Sequence, residues 1–145
     1  CAAGSYADSN TGDCIPCFGS AECVCAPGYT GPWTACTPCD PGTYKTASGT
    51  AACINCAAGS YKTTAGSGTC AYCPKDSYSL TGADSCTTCP ALTTSVVGSN
   101  ELTDCVCIQG YTGPNGGECT PCNVGTYKHV IGDTDCIDCA AGTWK

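Results

Sequence analysis

Nineteen of the 145 residues are cysteine, and most of them sit in Cys-x-x-Cys pairs at 14/17, 36/39, 53/56, 70/73, 86/89, 119/122 and 136/139. Such pairs serve three chemistries: they hold zinc, run thiol–disulfide exchange, or cross-link chain segments. Zinc suits the spacing of Cys36, Cys39, Cys53 and Cys56, with thirteen residues between the two pairs. Every pair would then have to serve two overlapping sites, and the Cys-x-Cys doublets Cys23/Cys25 and Cys105/Cys107 fit no four-ligand closure. Exchange chemistry needs a thiol activated at a helix N-terminus, and these Gly- and Thr-rich segments carry no helical periodicity. Structural disulfides are the expected use, because cysteine near one residue in eight is the mark of a disulfide scaffold.

The remaining candidates for chemistry are sparse. His129, the only histidine, follows Lys128 in a strand-like arm with no partner for a triad or a metal, so it reads as a solvated residue rather than a base. Asp133, Asp135 and Asp138 suggest calcium, but the acidic loop pattern of an EF-hand is missing, and a solvated turn is expected. No catalytic residue, metal site or cofactor is therefore expected, and the chain reads as a non-enzyme.

The elements that would position the cysteines repeat along the chain. Gly follows the second cysteine of a pair at +3 and an aromatic at +5: Gly4/Tyr6, Gly42/Tyr44, Gly59/Tyr61, Gly125/Tyr127 and Gly142/Trp144. The copy after Cys73 keeps Tyr78 but carries Asp76 in place of Gly. A second Gly stands four residues before the closing cysteine, at Gly49, Gly66, Gly82 and Gly132, with Asn10 in the first copy. Gly and Asn tolerate positive φ, so each copy reads as a tight reversal between two short strands with its cysteines clamping the open end. Twice a Cys-x-Cys loop interrupts the rhythm. Residues 28–62 and 110–145 then align with one insertion at roughly three identical positions in five, so the chain is a nested duplication. The second half carries PALTTSVVGSNELTD where the first has FGSAE.

If each copy closes on itself, neighbours pair in order: Cys1–Cys14, Cys17–Cys23, Cys25–Cys36, Cys39–Cys53, Cys56–Cys70, Cys73–Cys86, Cys89–Cys105, Cys107–Cys119 and Cys122–Cys136. Cys139 is left unpaired. It opens CAAGTWK, a repeat of CAAGSYK at Cys56, so the expectation is a piece of a longer tandem array whose next cysteine lies beyond Lys145. A redox-active or intermolecular Cys139 is the competing idea. The aromatics Tyr6, Tyr44, Tyr61, Tyr78, Tyr127 and Trp144 share one position and form an expected ladder. Its rings either cover neighbouring disulfides or expose a stripe for assembly or carbohydrate contact.

Composition bounds the partners. Leu, Ile, Val and Phe make up about a tenth of the chain, too little for a single apolar core, so covalent clips must help to offset the ordering entropy. Disulfides at this density persist in oxidising surroundings, which makes the expected location extracellular or cell-surface. A net charge of −7 with five Lys and no Arg argues against nucleic acid and anionic membranes. No apolar run is long enough to insert into a bilayer. No Asn-x-Ser/Thr sequon occurs, but the Thr clusters at Thr63, Thr64, Thr93 and Thr94 are expected candidates for O-linked glycans.

The stretches CTPCDPGTYKTASGTAACINCAAGSYK and CTPCNVGTYKHVIGDTDCIDCAAGTWK resemble the ephrin-receptor-like cysteine-rich repeat and the first half of tumour-necrosis-factor-receptor modules. CVCAPGYTGPWTAC and CVCIQGYTGPNGGEC are similar to the C-terminal loop of EGF-like domains. On this reading residues 1–16 form a hairpin module and 17–38 an EGF-like CxC module. Three hairpin modules cover 39–88, a second EGF-like module 89–121, one hairpin module 122–138, and 139–145 start a truncated one. The resemblance implies a small disulfide-rich fold, mostly coil with short β-hairpins, stacked as an elongated tandem-repeat rod on the order of 100 Å long. Each module would touch only its neighbours. The scaffold serves many purposes. The expected function is a structural segment of an extracellular fibre or surface protein, such as a mastigoneme (flagellar hair) subunit partnered by its own copies or by further repeats. The alternative is a ligand-binding or spacer ectodomain of a receptor or surface antigen.

Overall fold

The computed structural model describes residues 24–32 and 35–143, together with the backbone of strands Ser5–Ala7 and Cys14–Pro16. One 3-10 turn, Leu102–Asp104, interrupts a succession of two-residue strands, turns and coil. The fold is thus small, disulfide-rich and built from short antiparallel hairpins.

The module closed by Cys39 and Cys53 shows how the sequence builds each hairpin. Asp40-Pro41-Gly42-Thr43 forms a turn in which the Thr43 N–H donates to the Asp40 carbonyl at 3.0 Å. Pro at the second place and Gly at the third, with φ of 79°, are the residues that a type II turn requires. Strand Thr43–Tyr44 follows at once and pairs antiparallel with Ile54–Asn55, in the register Thr43↔Asn55 and Tyr44↔Ile54. The Cys56 N–H then donates to the Gly42 carbonyl at 2.8 Å. The second strand therefore occupies the two residues between the cysteines of a Cys-x-x-Cys pair, past the closing cysteine. This differs from the expectation that both cysteines clamp the open end of the hairpin. The turn directly after Cys39 displaces the ladder, so its first rung is Thr43 and the partner of that rung lies beyond Cys53.

The same register recurs in Tyr29–Thr30 with Thr37–Pro38, Ser77–Tyr78 with Thr87–Thr88, Tyr111–Thr112 with Thr120–Pro121, and Thr126–Tyr127 with Ile137–Asp138. Ser60–Tyr61 is likewise hydrogen-bonded to Ala71–Tyr72. Thr93–Thr94 pairs with Val106–Cys107, so in this Cys-x-Cys segment the second cysteine becomes a strand residue. Ile108 then makes the bond to the turn carbonyl, its N–H donating to Leu92 O at 3.0 Å.

Backbone proximity groups the chain into two units. The first comprises Cys1–Ala57, Tyr61–Ala71 and Thr81–Ser85; the second comprises Ala58–Ser60, Tyr72–Leu80 and Cys86–Lys145. In the first unit a Cβ placed on Gly42 would lie 2.1 Å from the Gly82 carbonyl oxygen, two modules further on. In the second, Gly59 stands in the same relation to Gly98, at 2.2 Å. Modules therefore touch the next but one as well as the next, which corrects the expectation of nearest-neighbour contact alone. The glycines permit it, since no side chain separates the two backbones.

The buried interior is sulfur and hydroxyl rather than hydrocarbon. Cys25, Cys39, Cys56, Cys73, Cys105 and Cys107 are almost fully enclosed, while Val96, Val124, Leu80 and Ile131 are exposed.

Candidate functional site

The repeated site of this protein is the junction where one module meets the next. Its covalent part consists of the disulfides Cys25–Cys36, Cys39–Cys53, Cys56–Cys70, Cys73–Cys86, Cys89–Cys105, Cys107–Cys119 and Cys122–Cys136, with Cα separations of 5.5–5.7 Å. The two cysteines of a pair go to different bridges: Cys53 bonds Cys39, whereas Cys56 bonds Cys70. Cys139 carries a half-buried free thiol. The pairs Cys1–Cys14 and Cys17–Cys23 lie outside the described residues.

Three hydrogen bonds recur at most junctions of the described residues. The N–H of the turn residue reaches forward to the next module, as in Gly28 to Lys45 O, Gly42 to Lys62 O, Gly59 to Ser79 O and Gly110 to Lys128 O, at 2.8–2.9 Å. The carbonyl of that residue accepts from the amide that ends the second strand. The N–H of the second Gly reaches back to a half-cystine carbonyl, as in Gly49 to Cys25 O, Gly66 to Cys39 O, Gly82 to Cys56 O, Gly98 to Cys73 O and Gly132 to Cys107 O. Backbone groups in coil thereby find the partners that a regular sheet would have given them.

At the centre of these junctions is a lysine whose burial its residue type does not announce. Lys45, Lys62 and Lys128 are each only 5% exposed. The Lys45 ammonium donates to Tyr29 O at 2.7 Å and to Gly49 O. Lys128 does the same with Tyr111 O at 2.8 Å and Gly132 O. Lys62 donates to Thr64 O at 2.5 Å and Gly66 O at 2.9 Å. Lys45 and Lys128 thus tie the first strand of the preceding module to the loop of their own, and burial pushes the Lys45 ammonium below the ordinary lysine pKa. Where the position holds serine, the hydroxyl reaches the equivalent carbonyl directly: Ser79 Oγ to Ser60 O at 3.0 Å, and Ser95 Oγ to Ser77 O at 3.1 Å. A signal was present, because four of the five lysines stand six residues after the second cysteine of a pair (Lys45, Lys62, Lys128 and Lys145).

Two junctions carry a non-glycine turn residue at positive φ, Asp76 at 66° and Leu92 at 64°. The Asp76 carboxylate accepts from the Thr94 hydroxyl. That hydrogen bond, chiefly, holds the carboxyl below its usual range; desolvation opposes it, while Lys75 and the Ser95 N–H reinforce it.

Other residues singled out from sequence are distributed as follows. Tyr44, Tyr61, Tyr78 and Tyr127 each end a first strand and are half-buried; the Tyr127 ring lies 5.9 Å from that of His129. The side chains of Tyr6 and Trp144 lie outside the described residues. Thr63 and Thr64 are exposed, whereas the Thr93 and Thr94 hydroxyls are engaged with Pro90 O and the Asp76 carboxylate. His129, Asp133, Asp135 and Asp138 are exposed. Among the described residues no cluster of three metal-ligating side chains forms. Nor is any helix there long and apolar enough to cross a membrane.

No curated protein matches the sequence. A family model does match, the one described as tyrosine-protein kinase ephrin type A/B receptor-like, over residues 28–68 and 110–145. These two stretches make up more than half of the chain and carry the turn, hairpin and buried-lysine pattern of both duplicated halves. The bridges belong to an oxidising, extracellular or cell-surface setting, and the chain belongs to the ephrin-receptor-like family of cysteine-rich repeats.

Proposed function

We propose that this chain is a non-catalytic structural segment of an extracellular fibre or surface protein, in which tandem modules act as a spacer or as part of a filament such as a flagellar hair. The observation that carries this reading is the repeated junction. The same disulfide, turn and backbone hydrogen bonds recur from module to module, and the buried side chains of Lys45, Ser79, Ser95 and Lys128 each tie a module to the one before it. Fourteen of the described cysteines are bonded in seven bridges, Cys139 alone among the described cysteines keeps a free thiol, and His129 is exposed beside Tyr127, which supports a structural role over a catalytic one. Exposed Thr63 and Thr64 are the sites at which O-linked sugar would coat the surface. Electron microscopy of the native assembly tests the reading: a regular fibre is expected. Isolated particles at native concentration, or turnover that survives purification, would refute it.

A further inference from the structure

The second unit contains a concavity of about 640 Å³, within the size range of small-ligand sites. Its apolar wall is Val96, Val106, Ile108 and Ile131, and Lys75 stands at its rim. Val96 is 73% exposed and Ile131 57%, so this wall stands open to solvent in a chain with little aliphatic surface to spare. Half of the ten lining residues come from the segment PALTTSVVGSNELTD, which lengthens the second half relative to FGSAE in the first. Val106, Ile108 and Ile131 flank it.

The polar lining groups have almost all been used within the protein. Thr94 donates to the Asp76 carboxylate, Ser95 to Ser77 O and Ser99 to Val96 O. Asp104 accepts from the Asn100 and Glu101 amides, and Gln109 donates to His129 O. The two carboxylates near the site, Asp76 and Asp104, thus have their oxygens engaged by hydrogen-bond donors, though both keep their negative charge. Lys75 differs: it is exposed, and among the described residues its ammonium acts on the Asp76 carboxylate through its charge rather than through a hydrogen bond. A ligand entering here meets hydrocarbon and, at Lys75, an exposed ammonium whose charge also acts on the Asp76 carboxylate.

We propose that this concavity binds a small aliphatic carboxylate, a free medium-chain fatty acid, with its chain against Val96, Val106, Ile108 and Ile131 and its carboxylate on the Lys75 ammonium. This is a binding role beyond the structural one and independent of it. An aliphatic chain needs no polar partner from the wall, and a charge-assisted hydrogen bond to Lys75 selects the anionic head.

The test uses the whole oxidised chain with decanoate, decanol and decyltrimethylammonium as probes, followed by methyl NMR and calorimetry. Decanoate should shift the methyl resonances of Val96, Val106, Ile108 and Ile131 and bind about tenfold more tightly than decanol, with the cation weakest. Lys75→Gln should abolish the preference for decanoate over decanol while leaving decanol binding unchanged. Val96→Asp, at an exposed position that the fold does not need, should weaken decanoate by at least about tenfold. Silent methyls at millimolar decanoate, equal binding of the three probes, or an undiminished preference in the Lys75→Gln protein would overturn the proposal. A fibre that assembles normally in either variant would leave the structural reading intact.

Discussion

A buried lysine usually meets a carboxylate; at these junctions the Lys45 and Lys128 ammonium groups meet backbone carbonyls instead. The distinction decides what a substitution does. Replacing both members of a buried ion pair by hydrocarbon can be neutral, but the carbonyls of Tyr29 and Tyr111 cannot be removed along with the lysine. Lys45→Met or Lys128→Met should therefore cost about 2–4 kcal/mol, because a charge-assisted bond is lost and two half-buried acceptors lose their donor. Lys75→Met, at an exposed position, should stay within about 0.5 kcal/mol. Denaturant unfolding with the disulfides intact measures all three, and equal losses at Lys45 and Lys75 would contradict the role assigned to burial. Asp76 offers a second handle at the same scale. Its carboxyl is depressed in the folded chain, so its stabilising contribution is present above the unfolded pKa of about 4. That contribution fades as pH falls through the lower folded value. The melting temperature should drop in that acid window in the native protein, and Asp76→Asn should flatten that part of the profile.

Among elements, the turn after each opening cysteine sets the geometry, and its glycine is not equivalent to the one that precedes the closing cysteine. Gly42 combines a φ of 79° with a Cβ site 2.1 Å from the Gly82 carbonyl oxygen, whereas Gly49 has a positive φ but open space around it. Gly42→Ala should cost about 2–4 kcal/mol, from backbone strain plus forced separation of the two modules, and Gly49→Ala about 1 kcal/mol from strain alone. Similar melting temperatures for the two variants would show that the close approach has no energetic weight. The need for Gly42 was readable from its recurrence, but the second reason for it was not, because the contact spans two modules. Leu92 shows the opposite failure. It fills the glycine place at a φ of 64° in a segment whose strand is Thr93–Thr94 and has no tyrosine, so the motif vanished from the sequence although the hairpin did not. The second strands were expected but lie past the closing cysteine, and pairs such as Ile54–Asn55 are too short for any alternation to fix their place. Lys45, Lys62 and Lys128 recur at a fixed spacing, yet lysine carries a strong expectation of exposure, and only the hydrogen-bond geometry reverses it.

For the whole molecule, the question is how far a local break travels. Beads on a string would confine the damage to one module and its immediate neighbour. Here the backbone of Gly59 lies against that of Gly98, two modules on, and the Gly98 N–H bonds the Cys73 carbonyl of the module between them. Opening Cys89–Cys105 should therefore loosen more than its own loop. A disulfide closing a loop of about 15 residues contributes about 3 kcal/mol, which corresponds to roughly a hundredfold in an opening equilibrium. With Cys89 and Cys105 both replaced by serine, the Gly98 amide should exchange with solvent about a hundredfold faster. The Gly59 and Cys73 amides, which bond Ser79 O and Gly59 O, should lose protection in step with it. The Gly132 amide, held by Cys107 O in a later module, should lose least. Hydrogen exchange read residue by residue separates the two pictures. If Gly59 keeps its full protection while Gly98 opens, the interlock over two modules is contact without coupling, and the modules respond as independent clips.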